Sequence, residues 1–297
     1  MSRRATGIAL AFSTAIVSGF SIYLNSHAVK HFHDATVFTT AKNAIAGLLL
    51  VALALRVQPR AAEAQPRSRA DWIRLLALAV VGGSVPFVLF FEGLARAQAT
   101  QAAFIQKTLV VWVALLAVPL LRERFRAPHA LAVCLLIAGQ AWYAGSVGTV
   151  TFGSGEAMIL GATLLWAVEV VYVKRLVVGL PPATLAAARM GLGTMLLLAW
   201  LGIQGTFGQL AHFDAVQWRW LVLSGLLLTA YVATWYAALA RAQAVDVTAV
   251  LVFGAVITAL LSGVADGKAV SGFATALVTA GVVLVAALAV RPREEMA

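Results

Sequence analysis

Charged side chains inside apolar runs are the residues of this sequence best suited to chemistry. Lys107 stands in 104-FIQKTLVVWVALL-116 directly after Gln106, and Lys42 stands in a second apolar run. At ~1.5 Å per helical residue, both lysines lie roughly 6 Å outward of the midplane of their runs. A charge that deep costs several kcal/mol in lipid, so these side chains should face a bundle interior or a wet cavity. We expect Lys42, Gln106 and Lys107 to form a positive, donor-rich patch for a carboxylate or another anion. The alternative for Lys107 is snorkelling toward water along its four-carbon stem.

A second set of candidates combines opposite charges with aromatic rings. Glu169 and Arg189 both come out roughly 5–6 Å inward of the midplane by the same counting. Trp166 precedes Glu169 by three residues and shares its helix face, and Tyr231 stands four before Trp235. These residues could bind a substrate and supply its apolar wall. Alternatively, Glu169 and Arg189 form a structural ion pair on adjacent helices that holds the two halves of the chain in register, and the rings are ordinary packing.

The segment 82-GGSVP-86 falls at the centre of a third apolar run. Proline frees a backbone carbonyl and glycine loosens the turn, which favours a kink beside a cavity, with Gly83, Ser84 and Pro86 as candidate gating residues. Close helix packing is the alternative.

Composition places these residues in a membrane. Of 297 residues, 62% are hydrophobic and 11% charged, with a mean hydropathy of +0.91. Apolar runs recur along the whole chain, and a bilayer core takes roughly 20 helical residues. The sequence therefore predicts an all-α integral membrane protein with about ten transmembrane helices. The predicted ranges are 5–25, 36–55, 73–94, 101–121, 128–146, 156–177, 182–202, 219–239, 246–264 and 270–290.

Basic residues are distributed unequally between the two sides of this predicted bundle. Most Lys and Arg residues fall in segments on the side of the N-terminus, and the opposite side holds only Lys30, Arg96, Arg219 and Lys268. This bias predicts both termini in the cytoplasm, and we expect the membrane to be a bacterial-type inner membrane. Anionic lipid headgroups are sufficient partners for the basic loops, so nucleic acid is not expected.

An internal repeat organises the chain. The segment 94-LARAQA-99 recurs unchanged as 239-LARAQA-244. We predict two units of five helices, 1–147 and 148–297, and because five is odd the second must be inverted. Inverted five-helix repeats around a central cavity are typical of transporters with alternating access, although two Ala-rich hairpins could also look alike by composition. Weaker matches extend the alignment: Gly139-Gln140 with Gly281-Val282, and Ala41-Lys42 with Ala188-Arg189.

Several segments resemble the EamA-type branch of the drug/metabolite transporter superfamily. They are 94-LARAQATQAAFIQ-106, 115-LLAVPLLRERF-125, 131-LAVCLLIAGQAW-142, 239-LARAQAVDVTAVL-251 and 277-LVTAGVVL-284. The family pattern has an acidic residue after the fourth helix, here Glu123, and a glycine in the fifth, here Gly139. The chain departs from it where the prolines of the fourth and ninth helices are replaced near Thr108 and Gly254, and where Asp266 only loosely meets the second acidic position.

The resemblance implies a secondary active or facilitative exporter of small metabolites, with amino acids favoured and aromatic amino-acid exporters as plausible close relatives. A monomer or homodimer in the lipid bilayer is expected. A second hypothesis is an exporter of cationic drugs or quaternary amines, for which Glu169 and Trp166 could form an aromatic cage. A channel or an intramembrane enzyme is a third, but a channel would want symmetric polar rings.

Other chemistry is not indicated by the sequence. It contains no HExxH, GxSxG, P-loop or GxGxxG motif, so neither an enzyme nor a cofactor is predicted. The histidines of 27-HAVKHFH-33 are expected to be a solvated loop rather than a metal site. The single cysteine, Cys134, allows no disulfide within the chain.

Overall fold

A computed structural model describes residues 2–57, 68–94, 96–97, 99–143, 152–267 and 269–290. Throughout these ranges the secondary structure is helical. The ten main units, numbered in chain order, are α1 (Arg3–Ala28), α2 (Ala35–Val57), α3 (Arg69–Leu94), α4 (Ala99–Lys107 and Leu109–Leu121), α5 (Ala127–Tyr143), α6 (Ser154–Leu176), α7 (Pro182–Ile203), α8 (Ala215–Leu239), α9 (Ala244–Leu251 and Gly254–Asp266) and α10 (Gly272–Val290). Short 3₁₀ helices, Val29–His31 and Phe207–Ala211, follow α1 and α7.

The membrane-protein class predicted from the sequence is confirmed. Nine of the helices in the described ranges are long and apolar enough to cross a membrane, and Ala127–Tyr143 is a shorter apolar helix of the same kind. The predicted ranges agree with the ten units to within a few residues. The proposed boundary between the repeats, at residues 147 and 148, lies outside the described residues.

Polar caps set the starts of several helices. The Ser2 hydroxyl accepts a hydrogen bond from the Ala5 amide, and Ser68 forms a capping box with Asp71. Asp214 and Gln217 form the equivalent box on α8. Such side chains satisfy the unpaired N–H groups of a first turn, so they fix where each apolar run begins its helix.

The two ends of the bundle are named here by residues of α1 and the turn after it. The Arg4 face is the end at which α1 begins, and the His31 face is the opposite end, where the 3₁₀ turn Val29–His31 follows α1. Successive helices run in alternating directions between these faces. The turn 240–243 between α8 and α9 therefore lies at the Arg4 face, whereas the turn that carries Arg96 lies at the His31 face.

The helices of the two halves pack in a reciprocal pattern. In the repeat, α1 to α5 correspond to α6 to α10. In the first half α1 and α2 both pack on α8, and in the second half their counterparts α6 and α7 both pack on α3, the counterpart of α8. The pairs α2–α7 and α5–α10 each join a helix to its own equivalent. An inverted repeat with a pseudo-twofold axis produces this exchange, so the packing agrees with the repeat seen in the sequence.

α4 and α9 are each interrupted near their middles. α4 breaks at Thr108, whose hydroxyl donates to the Ile105 carbonyl at 2.6 Å and accepts from the Trp112 indole N–H at 3.0 Å. α9 breaks at Val252 and Phe253, immediately before Gly254. Both breaks occur without the proline that the family pattern has in these helices, and in α4 a side chain takes over part of the backbone hydrogen bonding.

Candidate functional site

The centre of the bundle holds the ion pair between Glu169 of α6 and Arg189 of α7. Arg189 Nε lies 2.8 Å from Glu169 Oε1, and both side chains are buried, with 6% and 3% exposure. The Tyr236 hydroxyl of α8 donates a hydrogen bond to the same carboxylate oxygen at 2.6 Å. The ion pair on adjacent helices that the sequence left open is therefore present, and a role of either residue in substrate binding stays a prediction. Both partners belong to the second half, so the pair itself does not cross between the halves, and any role in holding them in register has to act through contacts with the first half.

Two glycines of α3 bring the first half against that pair. A Cβ atom on Gly82 would lie only 2.5 Å from Glu169 Cδ, and one on Gly83 would collide with the Arg189 carbonyl oxygen. Real Cβ atoms do not approach so closely, so both positions require glycine for α3 to touch α6 and α7. The close-packing interpretation of 82-GGSVP-86 therefore holds at these two positions.

The same segment also distorts α3, as expected for a kink. Residues Ala79–Ser84 form a π-helical turn, and the Ser84 hydroxyl donates to the Ala79 carbonyl at 3.1 Å. Pro86 has no N–H to donate to the carbonyl of Gly82, four residues earlier. The Trp166 indole N–H points to that carbonyl at 3.4 Å instead. Kink and close packing thus coexist, and a gating role of Gly83, Ser84 and Pro86 stays a prediction.

Aromatic rings extend the site along α3 toward the His31 face. Trp166 packs edge-on against Phe87 and tilts over Phe90, with ring centroids 5.7 and 5.5 Å away. On α8, Tyr231 stacks on Trp235 at 6.1 Å and lies close enough to the Glu169–Arg189 pair to interact electrostatically with both charges. These rings lie near the ion pair, and their role as the wall of a binding site stays a prediction.

Lys42 reaches this wall from α2. Its Nζ atom lies 4.7 Å from the centre of the Phe91 ring and 5.0 Å from that of Phe38, and the residue is 4% exposed. The Arg189 guanidinium lies 5.6 Å from the Phe87 ring. Phe87 and Phe91 are one helical turn apart, so two cations lie over neighbouring rings of α3, separated along its axis by roughly 6 Å.

Lys107 and Gln106 lie in the first segment of α4. Lys107 is buried at 8% exposure and Gln106 is half-buried. The neighbouring Ile105 packs against Ile159 of α6, ten residues before Glu169 and therefore roughly 15 Å nearer the His31 face. The burial of Lys107 disagrees with snorkelling into water. No described contact joins Lys107 directly to Lys42 or Arg189, and the single patch expected from the sequence stays a prediction.

The two lysines share one electrostatic property. No carboxylate of the described residues lies within 4.0 Å of either ammonium group, whereas Glu169 already holds Arg189 and Tyr236. Within the part of the chain that the structure describes, the ionisable side chains without a counter-ion in the middle of the bundle are therefore basic.

Some residues of the site were not found from the sequence. Tyr236 completes the coordination of Glu169, but its position directly after Trp235 gave no reason to select it. Phe38, Phe87 and Phe91 hold the cations through their ring faces. Phe38 stands four residues before Lys42, and this spacing is the one signal that could have indicated its role.

Known proteins resemble the chain in sequence profile and in fold. The profile of the EamA-like transporter family matches residues 5–144 and matches again over residues 153–290. A solved crystal structure, described only as that of a protein, superposes with a TM-score of 0.80 at 19% identity, over 96% of this chain and 99% of that one. At this identity the likeness concerns the fold alone. No curated protein matches the chain significantly.

Proposed function

The chain belongs to the EamA-like transporter family of the drug/metabolite transporter superfamily, and from this we propose that it exports amino acids or closely related carboxylates. The family makes it a multi-pass membrane transporter of small molecules. Our proposal adds the substrate class, the direction and alternating access between the two halves. It also places both termini in the cytoplasm of a bacterial-type inner membrane, in accord with the basic residues of the Arg4 face.

One observation carries the choice of substrate. Lys42 and Lys107 are buried ammonium groups, and the described residues offer neither a carboxylate partner. Burying an unpaired charge is costly, so these positions gain most from a ligand that brings the missing negative charge. A substrate carboxylate does this with charge-assisted hydrogen bonds. Gln106 adds a neutral donor beside Lys107, and the rings around Trp166 suit the apolar part of an amino acid.

The alternative substrate class is less well supported. A cationic drug or quaternary amine needs a carboxylate and open ring faces. Glu169 is enclosed by Arg189, Tyr236 and the backbone at Gly82, and Trp166 packs against Phe87. A cation would first have to displace a buried guanidinium, whereas an anion finds two ammonium groups free of protein carboxylates.

Flux through the purified protein in proteoliposomes tests this proposal. A panel of labelled amino acids and labelled cationic drugs is tested in counterflow. Lys107→Ala is the test variant, and Lys30→Ala, which changes an exposed lysine of the His31 face, is the control. We expect saturable amino-acid counterflow that Lys107→Ala weakens and Lys30→Ala leaves intact. Saturable flux of cations alone would overturn the proposal.

A further inference from the structure

The turn between α8 and α9 is held by side chains from other helices. Lys174 of α6 donates from Nζ to the carbonyls of Leu239 and Ala242, at 2.9 and 2.7 Å. Arg3 of α1 donates to the carbonyl of Ala240 at 3.0 Å. The last carbonyls of a helix normally lack partners, so Lys174 both completes the end of α8 and places a cation where the helix dipole is negative.

The start of α9 is held by carboxylates, whereas the end of α8 is held by cations. The Glu123 carboxylate, from the loop between α4 and α5, accepts hydrogen bonds from the amides of Ala244 and Val245 at 2.6 and 3.1 Å. In the first turn of α9, the fully buried carboxylate of Asp246 pairs with Arg4 at 2.8 Å. Glu123 therefore caps a helix of the other half, and Asp246 fastens that helix to α1.

A histidine of α5 completes the surroundings of Asp246. His129 Nε2 lies 3.8 Å from the Asp246 carboxylate, and His129 Nδ1 accepts a hydrogen bond from the Arg126 amide at 3.2 Å. The Arg126 amide and the Asp246 carboxylate thus lie at opposite nitrogens of the ring. Arg4, at 2.8 Å, makes the shorter contact with Asp246.

Arg3, Arg4, Glu123, Lys174 and Asp246 form what we call the clamp. Arg3, Arg4 and Glu123 come from the first half, and the groups they hold come from the second. The clamp therefore joins the two halves at the Arg4 face. The related turn at the His31 face is held by a different set of groups: in its described part, Arg96 pairs at 2.9 Å with Glu92 of its own helix and donates to the sulfur of Met158 of α6 at 3.0 Å.

The broken helices show the same asymmetry. The second segment of α4, Leu109–Leu121, packs against the first segment of α9, Ala244–Leu251, at the Arg4 side. The pair related to this one by the repeat is Ala99–Lys107 with Gly254–Asp266. In the described ranges these two segments do not form a comparable interface. The bundle is thus closed between α4 and α9 at the Arg4 face and parted there at the His31 face.

We propose that the clamp is the gate that closes the Arg4 face, and that its release opens this face while the His31 face closes. This inference rests on the alternating access of the proposed function. When inverted repeats exchange conformations, Ala99–Lys107 packs on Gly254–Asp266, and Leu109–Leu121 leaves Ala244–Leu251. Glu123 stands just beyond Leu121, so this separation withdraws its carboxylate from the amides of α9.

Cysteine accessibility at both faces tests the gate without requiring knowledge of the substrate. The native Cys134 is exposed and is replaced by serine. Ala117→Cys reports on the Arg4-face segment of α4, where Ala117 is fully buried, and Gln106→Cys reports on the half-buried His31-face segment. Labelling rates with a water-soluble maleimide are measured in nanodiscs, with and without Arg4→Met, which removes the ionic link between α1 and α9. We expect Arg4→Met to raise labelling at position 117 about tenfold and to lower it at position 106.

A second arginine of the same face supplies the matched control. Arg241 follows α8 at the Arg4 face, and its guanidinium donates to the Ala237 carbonyl of α8 at 2.8 Å, a contact within the second half. Arg241→Met removes one positive charge from the same face and should leave both labelling rates unchanged. If Arg4→Met does not yield a monodisperse protein, Glu123→Ala replaces it as the test, with the same expected result.

Two outcomes would overturn the gate. Unchanged rates at both reporters would show that the clamp does not hold the Arg4 face closed. A rise at position 117 with no fall at position 106 would show local fraying of a capped helix. If both labelling rates change as expected but the protein transports no amino acid, the gate is supported and the substrate assignment is refuted. The two proposals can therefore fail separately.

Discussion

Gly139 of α5 and Gly281 of α10 occupy equivalent places and face each other's helices. A Cβ atom on Gly139 would lie 2.6 Å from Cγ2 of Val278, and one on Gly281 would lie 2.9 Å from Cγ of Leu136. Each glycine thus opens a space that the partner helix fills. Reciprocal contacts of this kind are what a twofold relation between inverted halves requires, and small residues allow the backbones this close approach.

Gly139→Ala should destabilise the protein by about 1–3 kcal/mol, because its methyl group would force apart two closely packed helices. The measurement is the thermal unfolding midpoint in detergent. Gly161→Ala is the control, since its methyl group would meet only Leu89, at 3.7 Å. We expect that variant to be neutral or slightly more stable, because alanine favours helix. Equal midpoints for Gly139→Ala and Gly161→Ala would contradict the packing argument.

Arg189→Met should lower stability by about 3–5 kcal/mol, because it leaves the Glu169 carboxylate buried without its counter-ion. Adding Glu169→Gln removes the stranded charge and keeps a hydrogen-bond acceptor for Tyr236. The double variant should therefore regain most of the lost thermal stability. A double variant as unstable as Arg189→Met would show that packing, rather than charge pairing, holds this position.

Lys42→Met should raise the KM for a transported amino acid by about 10- to 100-fold, because a hydrogen bond to a charged group contributes about 1.5–3 kcal/mol. Methionine retains the apolar stem that packs on Phe38 and Phe91. Counterflow in proteoliposomes measures the change, with Lys30→Met as the control. Inhibition by the decarboxylated amine of the same amino acid should be unaffected. An equal loss of amine and amino-acid binding would contradict recognition of the carboxylate.

Glu123 should make stability depend on pH. Burial raises the pKa of its carboxyl above the ordinary value of 4.5, although hydrogen bonds from the Ala244 and Val245 amides and the charge of Lys174 oppose that shift. With a raised pKa, the folded protein binds the proton more tightly than the unfolded chain. Its contribution to stability is then fully present at low pH and is lost as pH rises through the folded pKa.

The corresponding measurement compares thermal midpoints of the parent and Glu123→Gln between pH 7 and pH 4, a range that extends below the ordinary pKa of 4.5. The parent should gain stability relative to the variant as pH falls. A parent that loses stability relative to Glu123→Gln over this range would show that the amides of α9 and Lys174 outweigh burial.

Sequence patterns predicted the helices and the burial of the charges for direct reasons. Apolar runs of spanning length must lie in lipid, and Lys42, Lys107, Glu169 and Arg189 within them must avoid it. Their partners depend instead on the rotation of each helix about its axis and on which helices adjoin. Tyr236 and the rings beneath the cations were missed for this reason.

Two further differences have local causes. Glu169 and Arg189 pair within the second half because α6 and α7 are consecutive helices, and contact with the first half falls to Gly82 and Gly83. The break of α4 at Thr108 arises without proline from a hydroxyl that bonds to the backbone. The roles of Lys42 and Lys107 in binding a carboxylate stay predictions.

The π turn Ala79–Ser84 amounts to one residue inserted into α3. A single residue turns a helix by roughly 100°, so the turn sets the direction in which every later side chain of α3 points. Deleting Val80 would spare every charge of the site and still rotate Phe87 and Phe91 away from Arg189 and Lys42. The number of residues in α3 therefore matters for the site as much as the identity of its side chains does. Homologous chains that retain both cations should tolerate substitutions in α3 more readily than a gap.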